Sequence, residues 1–278
     1  MAKKKKHSLT KTESNFIKIV WEFYCTQGRH DLPWRKTADP YKIVVSEFML
    51  QQTQVVRVLP KYEEFLKLFP SVRHLAAASL GDVLKAWQGL GYNRRAKFLW
   101  LVAQTVTSEH KGTWPATFEG LKTLPGIGSY TAGAVMSFAY NQPVPLIETN
   151  VRTVYIHHFF TDGEKVPDRA LLPIIEETLD REKPCEWNWA LMDYGAYLKT
   201  TVGNLNSKSK TYKKQTNFKE SNRYVRGAII RILSQGARTG TVLQKSLPDI
   251  EKERIKLQLD ALLGEALIIR KDKKYLLP

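Results

Sequence analysis

The stretch LPGIGSYTA at Leu124–Ala132 decides the fold. An apolar helical pattern ends before it, Pro-Gly-Ile-Gly supplies a tight turn, and a new helical pattern begins after the second glycine. Gly126 and Gly128 let the backbone approach a bulky group closely. The first turn of the new helix offers free N–H groups beside the hydroxyls of Ser129 and Thr131. These four residues predict an anion site that fits a DNA phosphate.

Composition favours a polyanionic partner and argues against a membrane. The 278 residues include 43 Lys+Arg against 27 Asp+Glu, a net charge of +16. Nucleic acid is the commonest partner of so basic a chain, although an inert basic surface gives the same signature. No apolar run approaches the roughly 18 residues that span a bilayer. The lysine-rich start, 1–7, has no apolar region after it, so it is not a secretory signal.

The cysteines offer no metal centre. Cys25 and Cys185 are far apart and have no CxxC spacing, so we expect no iron–sulfur cluster, no metal and no cofactor. Free thiols suit a reducing compartment. We therefore expect a monomer in the cytoplasm, associated with the nucleoid.

Helical periodicity dominates the chain, and the pattern predicts an all-α protein. Changes of pattern predict the following parts: a basic tail at 1–7, a helical lobe from 8–28 and 144–198, a six-helix lobe at 29–143, a basic connector at 199–221, and a winged helix-turn-helix at 222–278. The lysines of the connector, Lys208, Lys210, Lys213 and Lys214, either line a flexible linker or contact the DNA backbone. A winged helix binds DNA or serves as a protein contact.

Several motifs follow one another along the chain. They are Leu32-Pro33-Trp34-Arg35, Ser46-Glu47-Phe48-Met49-Leu50-Gln51-Gln52-Thr53-Gln54, Trp87-Gln88-Gly89-Leu90-Gly91-Tyr92, Leu124–Ala132, Asn150-Val151-Arg152 and Met192-Asp193-Tyr194-Gly195-Ala196. Their order is that of the helix-hairpin-helix DNA glycosylases, and the chain most resembles adenine-DNA glycosylases of the MutY type. The resemblance covers roughly 29–200 and implies a two-lobed core.

Glu47 is a lone acid on an otherwise apolar helix. Either it faces solvent, or it is held in a pocket, where burial would raise its pKa and suit it to general acid work. The resemblance implies the second role, protonation of adenine N7.

Glu148 is the second candidate acid. Cleaving an N-glycosidic bond leaves positive charge on the sugar, which a carboxylate stabilises. Family members carry Asp at the matching position, so Glu148 is a departure that re-tunes the pocket or lowers activity. The alternative is an acid that caps a helix.

Tyr130 stands where lyase-competent relatives place a lysine, which would form a Schiff base with the sugar. The resemblance therefore implies a monofunctional enzyme that leaves an abasic site. It places Tyr130 and Asn150 near the scissile bond. A core role is the alternative for Tyr130.

A base in duplex DNA must be flipped out before an enzyme can act on it. By the resemblance, Gln52 and Tyr92 insert into the duplex and Thr53 contacts the opposite base. Residues around the base pocket would be His30, Leu32, Trp34 and Leu50.

Two family features are missing. A lysine-rich segment replaces the four-cysteine cluster loop, and a short region replaces the large domain that inspects 8-oxoguanine. The expected partner is double-stranded DNA with a mismatch or lesion, and the expected reaction removes adenine opposite guanine or 8-oxoguanine. A thymine or uracil glycosylase acting opposite guanine is one alternative. A catalytically weak DNA-binding or lesion-recognition protein is the other.

Overall fold

The computed structural model describes residues 9–160, 165–214, 217–218 and 220–278. These residues are largely α-helical, as the sequence predicted, and they form two compact units. Unit 1 contains the described residues up to Ala38 and Gly128–Lys214. Unit 2 contains Asp39–Ile127 and the described residues after Lys214. The predicted basic tail, 1–7, lies outside the described residues.

Unit 1 consists of five α-helices and two short 3-10 helices within its described part. The α-helices are α1 (Lys11–Gln27), α8 (Ser129–Phe138), α9 (Thr149–Phe159), α10 (Asp168–Thr178) and α11 (Pro184–Thr201), and the 3-10 helices are Pro33–Arg35 and Leu205–Lys208. A capping box starts α1, because Thr10 and Glu13 exchange hydrogen bonds with each other's backbone N–H groups.

Aromatic rings fill the core of unit 1. The ring of Phe16 on α1 lies 5.1 Å from the ring of Tyr155 on α9 and 6.1 Å from that of Trp187 on α11. These side chains are almost fully buried. The apolar face of α1 therefore packs against α9 and α11, the two helices that carry the candidate residues of this unit.

Unit 2 begins with six helices. They are α2 (Pro40–Leu50), α3 (Val55–Leu68), α4 (Val72–Ala77), α5 (Leu80–Ala86), α6 (Arg94–Ser108) and α7 (Phe118–Lys122). Short polar side chains cap the first turn of most of them. Asp39 caps α2, Ser71 caps α4, Ser79 caps α5 and Thr117 caps α7.

The C-terminal domain (222–278) has the element order of a winged helix-turn-helix. Its elements are α12 (Asn222–Leu233), β1 (Arg238–Thr239), α13 (Gly240–Lys245), α14 (Lys252–Gly264), β2 (Ile269–Lys271) and β3 (Lys274–Leu276). The strands form an antiparallel sheet in the order β1-β3-β2. Strand β1 has only two residues, which are too few to show an alternating pattern in the sequence.

The division into units differs from the predicted lobe boundaries at 29 and 144. Residues 29–38 belong to unit 1 because Arg35 forms two hydrogen bonds with Asp193 on α11. Helix α8 belongs there because Asn188 on α11 donates to Ser137 at 2.9 Å. Both contacts join residues far apart in sequence, so local patterns do not contain them.

The predicted connector, 199–221, is not one exposed segment. Helix α11 continues to Thr201, and the backbone at Lys208 and Lys210 exchanges hydrogen bonds with Val166 at 2.8 and 2.9 Å. Asn206 and Ser209 are buried. The lysine-rich segment up to Lys214 therefore packs onto unit 1.

The C-terminal domain groups with α2–α7 rather than standing apart. The N–H of Gly81 donates to the carbonyl of Pro278 at 2.8 Å, and a side chain at Gly81 would overlap that carbonyl. Within the described residues, each helix is too short or too polar to cross a bilayer.

Gly195 lets α11 approach the start of α9, because a Cβ at this position would overlap the backbone of Asn150. We expect Gly195→Ala to destabilise the fold by about 1–3 kcal/mol, since the backbone must shift. Urea unfolding followed by circular dichroism measures the change. The matched control is Gly227→Ala on α12, where a Cβ meets nothing within 4 Å. That change should be neutral or stabilise by up to about 1 kcal/mol. Equal effects of the two substitutions would contradict the close approach.

Candidate active site

Glu47 lies near the end of α2, a helix whose residues are buried on nearly every side. Its residue exposure is only 6%, and its neighbours Val44 and Phe48 are fully buried. Of the two positions that the sequence left open, the structure therefore has the buried one. An acid in such surroundings is shielded from bulk water.

Helix α2 ends at Leu50. The next residues form a loop in which Gln52 has a left-handed backbone, with φ of 55°. Arg95 on α6 holds this loop. Its Nη1 donates to the carbonyls of Phe48 at 2.7 Å and Gln51 at 2.5 Å, which satisfies the open end of the helix.

The same guanidinium holds the loop that carries Tyr92. Arg95 Nη2 donates to the carbonyl of Gly91 at 3.2 Å and to Oγ1 of Thr53 at 3.1 Å. Gly91 and Tyr92 both have positive φ, of 70° and 49°. One buried arginine thus brings together the two loops with the predicted DNA-inserting residues, Gln52 and Tyr92. Burial lowers the pKa of Arg95 to about 10, so it remains a cation at neutral pH.

In unit 1, Glu148 caps the start of α9. Its Oε1 accepts hydrogen bonds from the N–H groups of Asn150 at 2.7 Å and Val151 at 2.9 Å, and its Oε2 accepts from Asn150 Nδ2 at 3.4 Å. The helix-capping role that the sequence left open is therefore present. Burial raises the pKa of Glu148, while these N–H groups and Arg152 act in the opposite direction. The cap holds the carboxylate and Asn150 in one fixed arrangement.

Asp193 on α11 organises the loop with the predicted pocket residues of unit 1. Arg35 donates to both of its carboxylate oxygens, at 2.7 and 2.8 Å, and Arg29 donates through its backbone N–H at 2.7 Å. Burial by itself raises the pKa of Asp193, but the bonds and charges of Arg35 and Arg29 outweigh it and hold the pKa below its usual value. Leu32 and Trp34, between these arginines, are buried.

His30 is exposed, and its Nε2 lies 2.9 Å from the carbonyl of Tyr24 on α1. Leu50, the remaining predicted pocket residue, is half-buried at the end of α2 in unit 2. The predicted pocket residues are thus divided between the units, as the acids are.

Sequence analysis did not single out Arg29, Arg35, Arg95 or Asp193 as site residues. Asp193 gave one signal, a lone acid within the apolar run of α11, and it is 3% exposed. Arg95 gave none, because an arginine in the first turn of a helix is ordinarily solvated.

The glycine turn follows the predicted pattern on each side of the boundary between the units. Gly126 has φ of 75°, and a Cβ there would lie 2.7 Å from the side chain of Phe98. Gly128 is the N-cap of α8, and no side chain caps that helix. Ser129 is exposed, but Thr131 is buried. Thr131 is therefore less accessible than Ser129, and its contact with phosphate stays a prediction.

Tyr130 is half-buried in the first turn of α8. Of the four predicted DNA-contacting lysines, Lys210, Lys213 and Lys214 are exposed and Lys208 is half-buried. Among the described residues, no three His, Cys, Asp or Glu side chains are grouped so as to hold a metal ion.

Comparison with known proteins indicates the class. Residues 45–173 match the family model described as HhH-GPD superfamily base excision DNA repair protein. The match includes Glu47, the arginine-held loops, the glycine turn and Glu148.

The chain is also similar to curated adenine DNA glycosylases. It is 42% identical over 174 residues to the adenine DNA glycosylase of Mycobacterium tuberculosis (strain ATCC 25618 / H37Rv), covering 61% of this chain and 57% of that relative. The chain thus spans about half the length of the curated relatives it matches.

Two solved structures have the same core. A thermostable thymine-DNA glycosylase superposes with a TM-score of 0.60 at 26% identity, covering 67% of this chain and 87% of the other. A non-covalent endonuclease III–DNA complex superposes with a TM-score of 0.54 at 17% identity, covering 70% and 87%. The second likeness bears on the fold alone.

We expect Arg95→Met to destabilise unit 2 by at least about 3 kcal/mol, because it leaves several buried carbonyls without their donor. Urea unfolding measures this loss. The matched control is Arg94→Met, at the adjacent residue, whose side chain is 63% exposed beside Glu265. Its loss should not exceed about 1 kcal/mol. Similar losses in both variants would show that Arg95 does not organise the two loops.

Proposed function

We propose that the protein is a monofunctional DNA glycosylase of base excision repair. It flips a mispaired adenine out of double-stranded DNA and hydrolyses its N-glycosidic bond, with guanine or 8-oxoguanine opposite. The observation that carries the proposal is Glu47, an acid buried on an apolar helix inside the matched domain. The similarity to adenine DNA glycosylases supports adenine as the base.

The buried carboxyl of Glu47 donates a proton to N7 of the extrahelical adenine, which turns the base into a leaving group. The ionised Glu148 then stabilises positive charge on the sugar, with Asn150 fixed beside it. Water completes the hydrolysis and leaves an abasic site. Position 130 holds tyrosine, which cannot form a Schiff base with the sugar as a lysine would.

DNA enters through three kinds of contact. The first turn of α8 with Gly126, Gly128 and Ser129 binds a backbone phosphate. Gln52 and Tyr92 insert where the base leaves, and Thr53 faces the opposite base. The DNA backbone away from the flipped base is contacted by four lysines, Lys208, Lys210, Lys213 and Lys214. The proposed complex is a monomer on DNA, in the cytoplasm at the nucleoid.

A second candidate substrate is thymine or uracil opposite guanine. The likeness in structure to a thymine-DNA glycosylase favours it, as does Glu148 where the adenine enzymes carry Asp. A panel of duplexes with adenine, thymine or uracil opposite guanine distinguishes the two. Abasic sites, revealed by alkaline cleavage, are the readout.

Glu47→Gln should abolish base release while DNA binding stays close to that of the unchanged protein, because the amide keeps the shape and cannot donate the proton. Single-turnover kinetics on the best duplex of the panel measure release, and fluorescence anisotropy measures binding. A Glu47→Gln rate close to the unchanged rate would disprove the role of this acid.

Glu148→Asp should lower the release rate by about 10²-fold, because the shorter acid withdraws the carboxylate by roughly 1 Å. Glu148→Gln should be nearly inactive. Because burial raises the pKa of Glu148 and its ionised form is needed, the rate should fall on acidification at a higher pH than for an ordinary glutamate. A pH–rate profile checks the sign. An active Glu148→Gln enzyme would show that another residue supplies the carboxylate that stabilises the sugar.

Replacing Lys213 and Lys214 with Ala should weaken binding to all duplexes alike. The slope of log affinity against log salt is negative, and each lost phosphate contact reduces its magnitude by about 0.9, so the pair should make it shallower by up to about 1.8. The matched control replaces Lys252 and Lys256, two exposed lysines of α14, which should leave the slope unchanged. If the two double variants have equal slopes, the segment at 199–214 is only a linker.

A further inference from the structure

A cleft of about 500 Å³ in unit 2 lies where the C-terminal domain meets the loop of Tyr92. This volume is within the range of small-ligand pockets. Gln51, Tyr92 and Arg94 line one side, and Arg223 and Arg226 from α12 line the other. The cleft therefore adjoins the predicted DNA-inserting loops, and residues of the C-terminal domain form part of its wall.

Arg223 is fixed on the inserting residue itself. Its Nη1 donates to the hydroxyl of Tyr92, and its guanidinium carbon lies 5.0 Å from the centre of the Tyr92 ring. Arg95 lies 5.3 Å from the same ring centre. The aromatic ring is thus contacted by two guanidinium groups, one from α6 and one from the first turn of α12.

Glu265 holds the C-terminal domain in this position. Its carboxylate accepts two hydrogen bonds from Arg226, at 3.1 and 2.5 Å, and lies 3.8 Å from Arg94 Nε. Its carbonyl accepts from Lys97 at 2.5 Å. These bonds join α12 and α14 to α6. The packing of α12 therefore places Arg223 beside Tyr92.

Helix α12 is a basic element of the C-terminal domain. It carries Arg223, Arg226 and Arg231 and no acid. The β2–β3 hairpin is basic as well, with exposed lysines and an arginine at 270–274. In a winged helix, the helix that usually contacts DNA corresponds to α14. The exposed charged residues at its start and along it alternate in sign, and they are Glu251, Lys252, Glu253, Lys256 and Asp260. A helix with nearly balanced charge is poorly suited to a phosphate backbone, so α12, which lines the cleft, suits DNA better than α14 does.

We propose that Arg223 is a specificity-determining residue that recognises the purine opposite the excised base. The planar fork of a guanidinium matches the O6 and N7 acceptors of guanine. Tyr92 supplies the adjacent aromatic surface on which a base stacks. The inference rests on the proposed function, and it means that α12 takes part in recognising the base opposite the excised one.

The test uses the full chain and duplexes with adenine opposite guanine, opposite cytosine, or opposite a tetrahydrofuran abasic analogue. Arg223→Ala should lower the ratio of release rates, guanine over abasic analogue, by about 10-fold. Arg223→Lys keeps the charge without the fork and should recover less than half of the preference on a logarithmic scale. The matched control is Arg231→Ala, an exposed arginine of the same helix, which should leave the ratio unchanged.

Affinity for the same duplexes with a non-cleavable adenine analogue is measured in parallel. An Arg223→Ala variant that weakens binding equally to all three duplexes makes Arg223 a backbone contact and overturns the inference. A variant that binds all three more tightly makes it a latch on Tyr92 and overturns it as well. If the unchanged protein releases no base from any duplex, the proposed function fails, and the binding ratios still decide the inference. Thermal unfolding verifies that each variant is folded.

Discussion

One buried guanidinium holds the two loops of unit 2 that carry Gln52 and Tyr92. Arg95 donates to the carbonyls at the end of α2 and to those of the Gly-Leu-Gly loop, and it is 7% exposed. Backbone carbonyls at a helix end need hydrogen-bond donors, and leaving them unpaired in a buried position costs free energy. The N–H groups on Nη1 and Nη2 of this one cation supply the donors. The two loops and the ring of Tyr92 take their positions from this arrangement.

Unit 1 uses the same principle with the opposite sign. Asp193 is an almost fully buried anion, and Arg29 and Arg35 approach it from a loop far away in sequence. These two ion pairs hold the loop that contains Leu32 and Trp34 against α11. Gly195, two residues further along, lets α11 contact the backbone of Asn150, and Glu148 caps the helix that carries Asn150. Charge pairing and one missing side chain together position the second acid.

The C-terminal part of unit 1 is held without the four-cysteine loop that the resemblance would have placed there. Residues after α11 bond to the backbone of Val166, and Asn206 and Ser209 are buried against the unit. Within unit 2, the C-terminal domain contacts α5 and α6. The carbonyl of Pro278 accepts from the N–H of Gly81, and Glu265 accepts from Lys97 and forms an ion pair with Arg94. Backbone hydrogen bonds and an ion pair therefore provide attachments that need no metal.

The sequence by itself determined the local features. The glycine turn, the capped helices, the lone acid of α2 and the helical character of nearly the whole chain follow from residues near one another, because caps, turns and periodicity act over a few positions. Only the tertiary structure decided the unit boundaries, the roles of Arg95 and Asp193, the burial of Thr131 and the placement of α12 against Tyr92. Each of these depends on contacts between residues far apart in the chain, such as Arg35 with Asp193, 158 positions away. Local patterns do not encode such pairs, because their energy arises only when the folded backbone excludes water around both partners.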